Sequence, residues 1–195
     1  MRKKFYRFYG GLIGLQRKWL NKMAGKGFRL VRTTKAMYEF ETCDPGQYQY
    51  AVEFVGDKSK QSAADYARFL EECGYRIFFK NINLNYSVGK VRLRPWAEKG
   101  GRIATNATTF NRELLIVEKA NDGKPFELHT TYEDQQKDCK NRRKPWLFLF
   151  LWSAAAGILF RHPVWWIFAA FSLAALIAFQ MELAELKKQG RTREW

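Results

Sequence analysis

Residues 19–30 read WLNKMAGKGFRL and residues 66–77 read YARFLEECGYRI. Set one over the other without a gap, Trp19, Leu20, Met23, Gly27, Phe28, Arg29 and Leu30 fall opposite Tyr66, Ala67, Leu70, Gly74, Tyr75, Arg76 and Ile77. Both stretches carry apolar residues at helical spacing, then a glycine stop, then an alternating run that reads as a strand. The flanks extend the correspondence. Lys4 to Tyr9 alternates and is aromatic, as a strand does, and Leu12, Leu15, Trp19, Leu20 and Met23 predict a helix over 13–25. Phe28–Val31 and Met37–Phe40 read as strands around a turn at Thr33 to Lys35, and Asp44-Pro45-Gly46 marks a second turn. The second copy repeats the order, with a strand over Gln47–Val55, a helix over Ala63–Cys73, and strands at Tyr75–Lys80 and Leu84–Val91.

Each half is therefore strand, helix, strand, strand, a unit that buries little alone. The expected fold class is α+β. Residues 1–92 form a duplicated strand-helix-strand-strand unit, the copies paired about a pseudo-twofold axis into an antiparallel sheet with both helices on one face. The open face or the seam between copies is the candidate site. Trp19, Phe28, Tyr38, Tyr48, Tyr50 and Tyr75 are its candidate ligand-binding residues, although the same aromatics read first as core and only second as the lining of an apolar groove.

From residue 92 the pattern weakens, and residues 93–143 read as an extension. Pro95, Trp96 and Gly100-Gly101 indicate a loop, Leu114 to Val117 a strand, and Asn121-Asp122-Gly123 a turn. Thr130 to Arg143 reads as a connecting helix, with Thr131 and Asp134 as a helix-start signature. Residues 144–189 then carry WLFLFLWSAAAGILF from Trp146 and VWWIFAAFSLAALIAFQM from Val164, joined by Arg161-His162-Pro163. The two runs are free of charge and apolar on every face, which predicts a transmembrane hairpin; at 1.5 Å per residue they span about 22 and 27 Å. Pro145 and Pro163 each suit the first turn of a helix. Ser153 and Gly157 on one helix and Ala170, Ala174 and Ala178 on the other supply small faces for close packing. Lys140, Arg142, Arg143 and Lys144 precede the hairpin, and Lys187, Lys188, Arg191 and Arg193 follow it, so both termini, including a basic tail at 190–195, are expected in the cytoplasm.

The net charge of +15 on 195 residues points to phosphate-bearing partners. No acidic residue precedes Glu39. Lys3, Lys4, Arg17, Lys18, Lys22, Arg142, Arg143, Lys144, Lys187 and Lys188 form the expected membrane-facing charge, and an anionic leaflet is favoured over nucleic acid because the domain is tethered beside one. The stretch GGLIGL at 10–15 is too short for a signal-peptide core. Cys43, Cys73 and Cys139 fit neither a disulfide framework nor a metal motif. His129 and His162, the only histidines, lie far apart in sequence, and no phosphate-binding or dinucleotide glycine pattern is present. No metal, cofactor or catalytic residue is expected.

Trp19-Leu20-Asn21-Lys22-Met23-Ala24 with Gly27-Phe28-Arg29-Leu30, then Tyr38-Glu39-Phe40, Pro45-Gly46, Tyr48-Gln49-Tyr50 and FLEECGY at 69–75, resembles the bacterial domain-of-unknown-function family DUF2812 over residues 3 to 80. Phe28 stands where that family usually has tryptophan. The resemblance implies a membrane-anchored protein in a regulatory setting beside PadR-type regulators, and it implies no catalytic residues. The expected function is a membrane-anchored, non-catalytic sensor or regulatory adaptor for a small amphiphile or protein partner. A structural subunit of a membrane complex is the alternative, and nucleic-acid binding or an uncharacterised enzyme ranks below both.

Overall fold

A computed structural model of the chain describes residues 1–84, 86–88, 91–97, 103–104, 112–126, 128 and 132–191. It has two compact units, residues 1–129 and 130–195. The first runs β1 (Arg2–Tyr6), α1 (Ile13–Gly25), β2 (Phe28–Thr33), β3 (Met37–Thr42), β4 (Tyr48–Phe54), α2 (Lys60–Glu72) and β5 (Arg76–Lys80), followed by β6 (Tyr86–Val88), β7 (Val91–Leu93), β8 (Ile103–Ala104) and β9 (Leu114–Ala120). The second is α3 (Tyr132–Phe160) and α4 (Pro163–Arg191).

The fold is α+β with antiparallel sheets, but the two copies do not share one sheet. Strands β1-β3-β2 form one three-stranded sheet and β4-β9-β5 another, each ordered first, third, second. The third strand of the second copy is therefore β9. Leu84 to Val91 instead contributes to a separate small sheet, β6-β7-β8. The reason lies in burial. Leu114, Leu115, Ile116 and Val117 are all buried, because β9 is central and covered on both faces. Leu115 and Val117 pack with Ala63, Ala67 and Leu70 of α2. Ile116 belongs to the cluster that holds Leu20, Met23 and Ala24 of α1 with Leu30, Tyr38 and Phe40. The two helices thus serve opposite faces of the second sheet rather than one shared face, and the segment read as an extension supplies the middle of the domain.

Local chemistry sets the element ends. Helix α1 ends at Gly25 with Lys26 as its cap, and Gly27 follows at φ +79°, its N–H donating to the Ala24 carbonyl at 3.0 Å. A Cβ at Gly27 would stand 2.7 Å from the Cys43 carbonyl oxygen. Helix α2 begins three residues ahead of Ala63 because Ser59 Oγ accepts from the Ser62 N–H at 3.0 Å. Its end at Gly74, φ +86°, mirrors that of α1.

In the second unit α3 is one helix through Pro145, so the connecting helix and the first apolar run are continuous. Burial explains the continuity: Cys139, Arg142, Trp146, Ser153 and Ala156 form a stripe at heptad spacing that crosses the proline. On α4 the stripe is Ala169, Ser172, Phe179, Leu183 and Leu186. Trp146 meets Phe171 edge-on at 5.6 Å, and a Cβ at Gly157 would press on Trp166 at 3.0 Å. Ser153 and Gly157 are buried as small packing residues, whereas Ala170 and Ala174 are exposed and Ala178 is half-buried. The packing face of α4 follows the 3-4 spacing from Ala169, one residue ahead of the expected ridge. Among the described residues one helix, over Pro163–Gln189, is long and apolar enough to cross a membrane, with a mean hydropathy of 1.9. The Gly100-Gly101 loop, Thr131 of the helix-start signature, His129 and residues 192–195 lie outside the described residues.

Candidate functional site

The matched arginines of the two copies reach the same carboxylate. Glu118 on β9 is 2% exposed, and its Oε1 accepts from Arg29 Nε at 2.9 Å and Nη2 at 2.8 Å, with Arg76 Nη1 3.9 Å away. Its Oε2 accepts from the Tyr50 hydroxyl at 2.7 Å, which in turn accepts from the Leu30 N–H at 2.7 Å. The outer edge of β2 is thereby tied to the second sheet through one phenol. Arg29 stacks 4.3 Å over Tyr48, and Arg76 lies 4.9 Å over Phe78. The hydrogen bond to Glu118 holds the Arg29 guanidinium more firmly protonated than usual, and burial pushes the Tyr50 phenol above its ordinary range. Asn21 completes the seam: its Nδ2 donates to the Tyr50 carbonyl at 2.8 Å and its Oδ1 accepts from the Tyr50 N–H at 2.9 Å, so an amide side chain pairs with the β4 backbone as a strand would. Glu41 adds a second carboxylate 3.9 Å from Arg29, and the network ties the two halves together through hydrogen bonds and paired charge.

The aromatic candidates gather beside it. Trp19, Phe28, Tyr38, Tyr48 and Tyr50 all lie in or against one cluster, whereas Tyr75 packs on Phe126 at 5.4 Å in the other. Trp19 is the hub, edge-on to Tyr38 at 4.9 Å, Phe40 at 5.5 Å and Phe5 at 6.4 Å. Lys80, buried at the end of β5, sits 4.1 Å over the Tyr38 ring and donates to the carbonyls of Thr34 and Lys35. Burial lowers its ammonium pKa to about 8. Burial also raises the Tyr38 phenol far above its usual range, and the neighbouring Tyr9 adds to the rise. Sequence reading missed Lys80, Glu118 and Asn21. Only the Arg29/Arg76 match hinted at a shared partner for the two arginines.

Of the expected surface cations, Lys3, Lys4, Lys18, Lys22, Lys144, Lys187 and Lys188 are exposed, and Arg17 and Arg143 are half-buried. Arg142 is a correction. It is 3% exposed and pairs with Glu182 at 3.4 Å inside the helix pair, because its place on the heptad stripe turns it inward.

The family described as "Protein of unknown function (DUF2812)" matches residues 13–151. The chain belongs to that family. The DUF2812 match begins at the first residue of α1 and ends within α3, so it takes in residues 92–130, which the resemblance to the family left uncovered. The position of β9 accounts for this, since the second sheet has no middle without it. No curated protein and no solved structure matches the chain.

Proposed function

We propose that this DUF2812 protein is a membrane-anchored, non-catalytic sensor or regulatory adaptor whose α+β domain faces the cytoplasm and binds a small amphiphile or a protein partner. The anchor rests on one observation. Phe148, Leu151, Trp152, Ile158 and Leu159 of α3 and Trp166, Ile167, Phe171, Ile177 and Met181 of α4 are all exposed, while the inward stripes are packed. A helix pair in water would carry polar residues there. Lipid is the solvent that suits this surface. The charge-free part of α3 is shorter than a bilayer core of about 30 Å, and snorkelling of Lys144 and Arg161 with local thinning makes up the difference. The basic flanks set both ends inside and the Arg161-His162 turn outside.

The test is cysteine labelling in intact cells on a cysteine-free background. Arg161→Cys is expected to react with an impermeant maleimide added outside, and Lys144→Cys only after lysis. Protection of Arg161→Cys until lysis overturns the two-span reading.

The basic surface favours an anionic leaflet as the domain's neighbour. Lys18 and Lys22 are exposed at four-residue spacing on α1, a helix with no acidic residue, and Lys26 is exposed at its C-cap. Each gains about 1 kcal/mol beside anionic lipid. The aromatic cluster around Trp19 and Tyr38 is the ligand site of this reading. The subunit alternative draws support from Ala170 and Ala174, whose exposure leaves a small-residue face on α4. Cross-linking in native membranes that captures only monomer counts against it.

A further inference from the structure

The Trp19 cluster contains hydrogen-bond donors that the protein leaves unused. Tyr38 is fully buried and its hydroxyl makes no hydrogen bond; Gln16 is 2% exposed and its Nε2 makes none. The enclosed hydroxyl of Tyr9 has the Arg7 guanidinium beside it, which can only donate, so the phenol's own O–H is left to donate. Buried polar groups are nearly always paired, so the unpaired Tyr38 hydroxyl, and the unpaired Gln16 amide one helical turn ahead of Leu20 of the same cluster, call for an outside partner. The three share a frame: the Leu12 N–H donates to the Tyr9 carbonyl at 3.0 Å, the Gln16 N–H donates to the Leu12 carbonyl at 3.2 Å, and Tyr9 meets Tyr38 edge-on at 6.3 Å.

Charge points the same way. Lys80 is 3% exposed, and among the described residues its ammonium has two carbonyls and the Tyr38 ring as partners but no carboxylate. A buried cation without a counter-ion is strongly disfavoured. Gln16 Nε2 only donates, and a phenol donates most readily to an anionic oxygen, so the partner that suits this wall is an acceptor carrying negative charge. Tyr9 and Trp19 are only half-buried, so the cluster reaches the surface there, and Arg7 lies 5.2 Å over the Trp19 ring at that rim.

We propose that Gln16, Tyr38 and Tyr9, with Lys80 across the Tyr38 ring, bind the carboxylate of a small amphiphile whose apolar body lies against Trp19. The proposal rests on the amphiphile reading above and assigns its polar end. Water, held by the same donors, is the competing occupant, and a test with matched probes separates them.

The full chain in nanodiscs is titrated with octanoate and with octanol, read by the thermal unfolding midpoint and by isothermal calorimetry. Octanoate is expected to raise the midpoint and to bind at least tenfold tighter than octanol. Tyr38→Phe and Gln16→Met are each expected to remove most of that preference by weakening octanoate binding far more than octanol binding, and Gln16→Glu to abolish octanoate binding by repulsion. In the absence of probe, both conservative variants report on folding independently. Equal binding of the two probes, or a preference that survives both variants, overturns the carboxylate site and leaves the amphiphile reading standing. Binding of neither probe overturns the carboxylate site and removes the amphiphile as ligand.

Discussion

Glu118 and Lys80 are buried charges of the α+β unit with contrasting surroundings. Glu118 has Arg29 and Tyr50 within 2.9 Å, so removing its charge strands partners on both sides. Glu118→Gln is expected to cost about 3 kcal/mol in chemical denaturation, as breakage of buried pairs generally does. Tyr50→Phe, which orphans the Leu30 N–H, is expected to cost about 2 kcal/mol. Lys80 lacks such compensation. Its folded pKa of about 8 lies below the ordinary 10.5, so between those values the unfolded chain binds more protons and stability rises with pH. The penalty is complete below about pH 8 and gone by pH 10.5, a gain on the order of 3 kcal/mol. Near pH 10 the phenols of Tyr9, Tyr38, Tyr50 and Tyr66, all raised by burial, reverse the trend, because the unfolded chain then loses protons that the folded one keeps. Unfolding midpoints measured from pH 7 to 11 are expected to peak near pH 10, and the rise from pH 8 is expected to vanish in Lys80→Met. A Lys80→Met profile identical to wild type would show that this ammonium keeps its ordinary acidity.

At the scale of elements, the two copies offer matched comparisons. Gly27 and Gly74 end α1 and α2 at φ +79° and +86°, yet only Gly27 has backbone where a Cβ would go. Gly74→Ala is expected to cost about 1 kcal/mol from the left-handed conformation alone, and Gly27→Ala at least about 3 kcal/mol, in the same denaturation assay. Equal costs would show that the Cys43 segment gives way. The glycines were legible in sequence because a helix stop is a local event. The partner of each strand was not. Nothing in YSVGKVRL at 86–93 says that it pairs with itself and β8 rather than with β5, and nothing in LLIV at 114–117 says that its two faces meet different helices. A strand buried on both sides loses the alternation by which strands are recognised.

For the whole molecule, β9 makes the first 129 residues one folding unit, since Leu115 and Ile116 enter different clusters from adjacent positions. Leu115→Ala and Ile116→Ala are each expected to cost about 2 to 4 kcal/mol and to lower a single transition rather than split it. Two transitions in Leu115→Ala would mean that the copies unfold separately. The sequence by itself determined the elements that depend on near neighbours: the helices over 13–25 and 63–73, the glycine stops, the helix pair with its uncharged runs, the duplication, and membership of the family. It also paired Arg29 with Arg76, without naming what they share. Tertiary structure decided that Glu118 stands between those arginines, that β9 closes the second copy, that Arg142 turns inward to Glu182, and that Ala169 rather than Ala170 faces α3. The division has one physical cause. Helical periodicity and turn chemistry are set within a few residues along the chain, whereas strand order and the pairing of buried charges depend on which distant segments burial brings together.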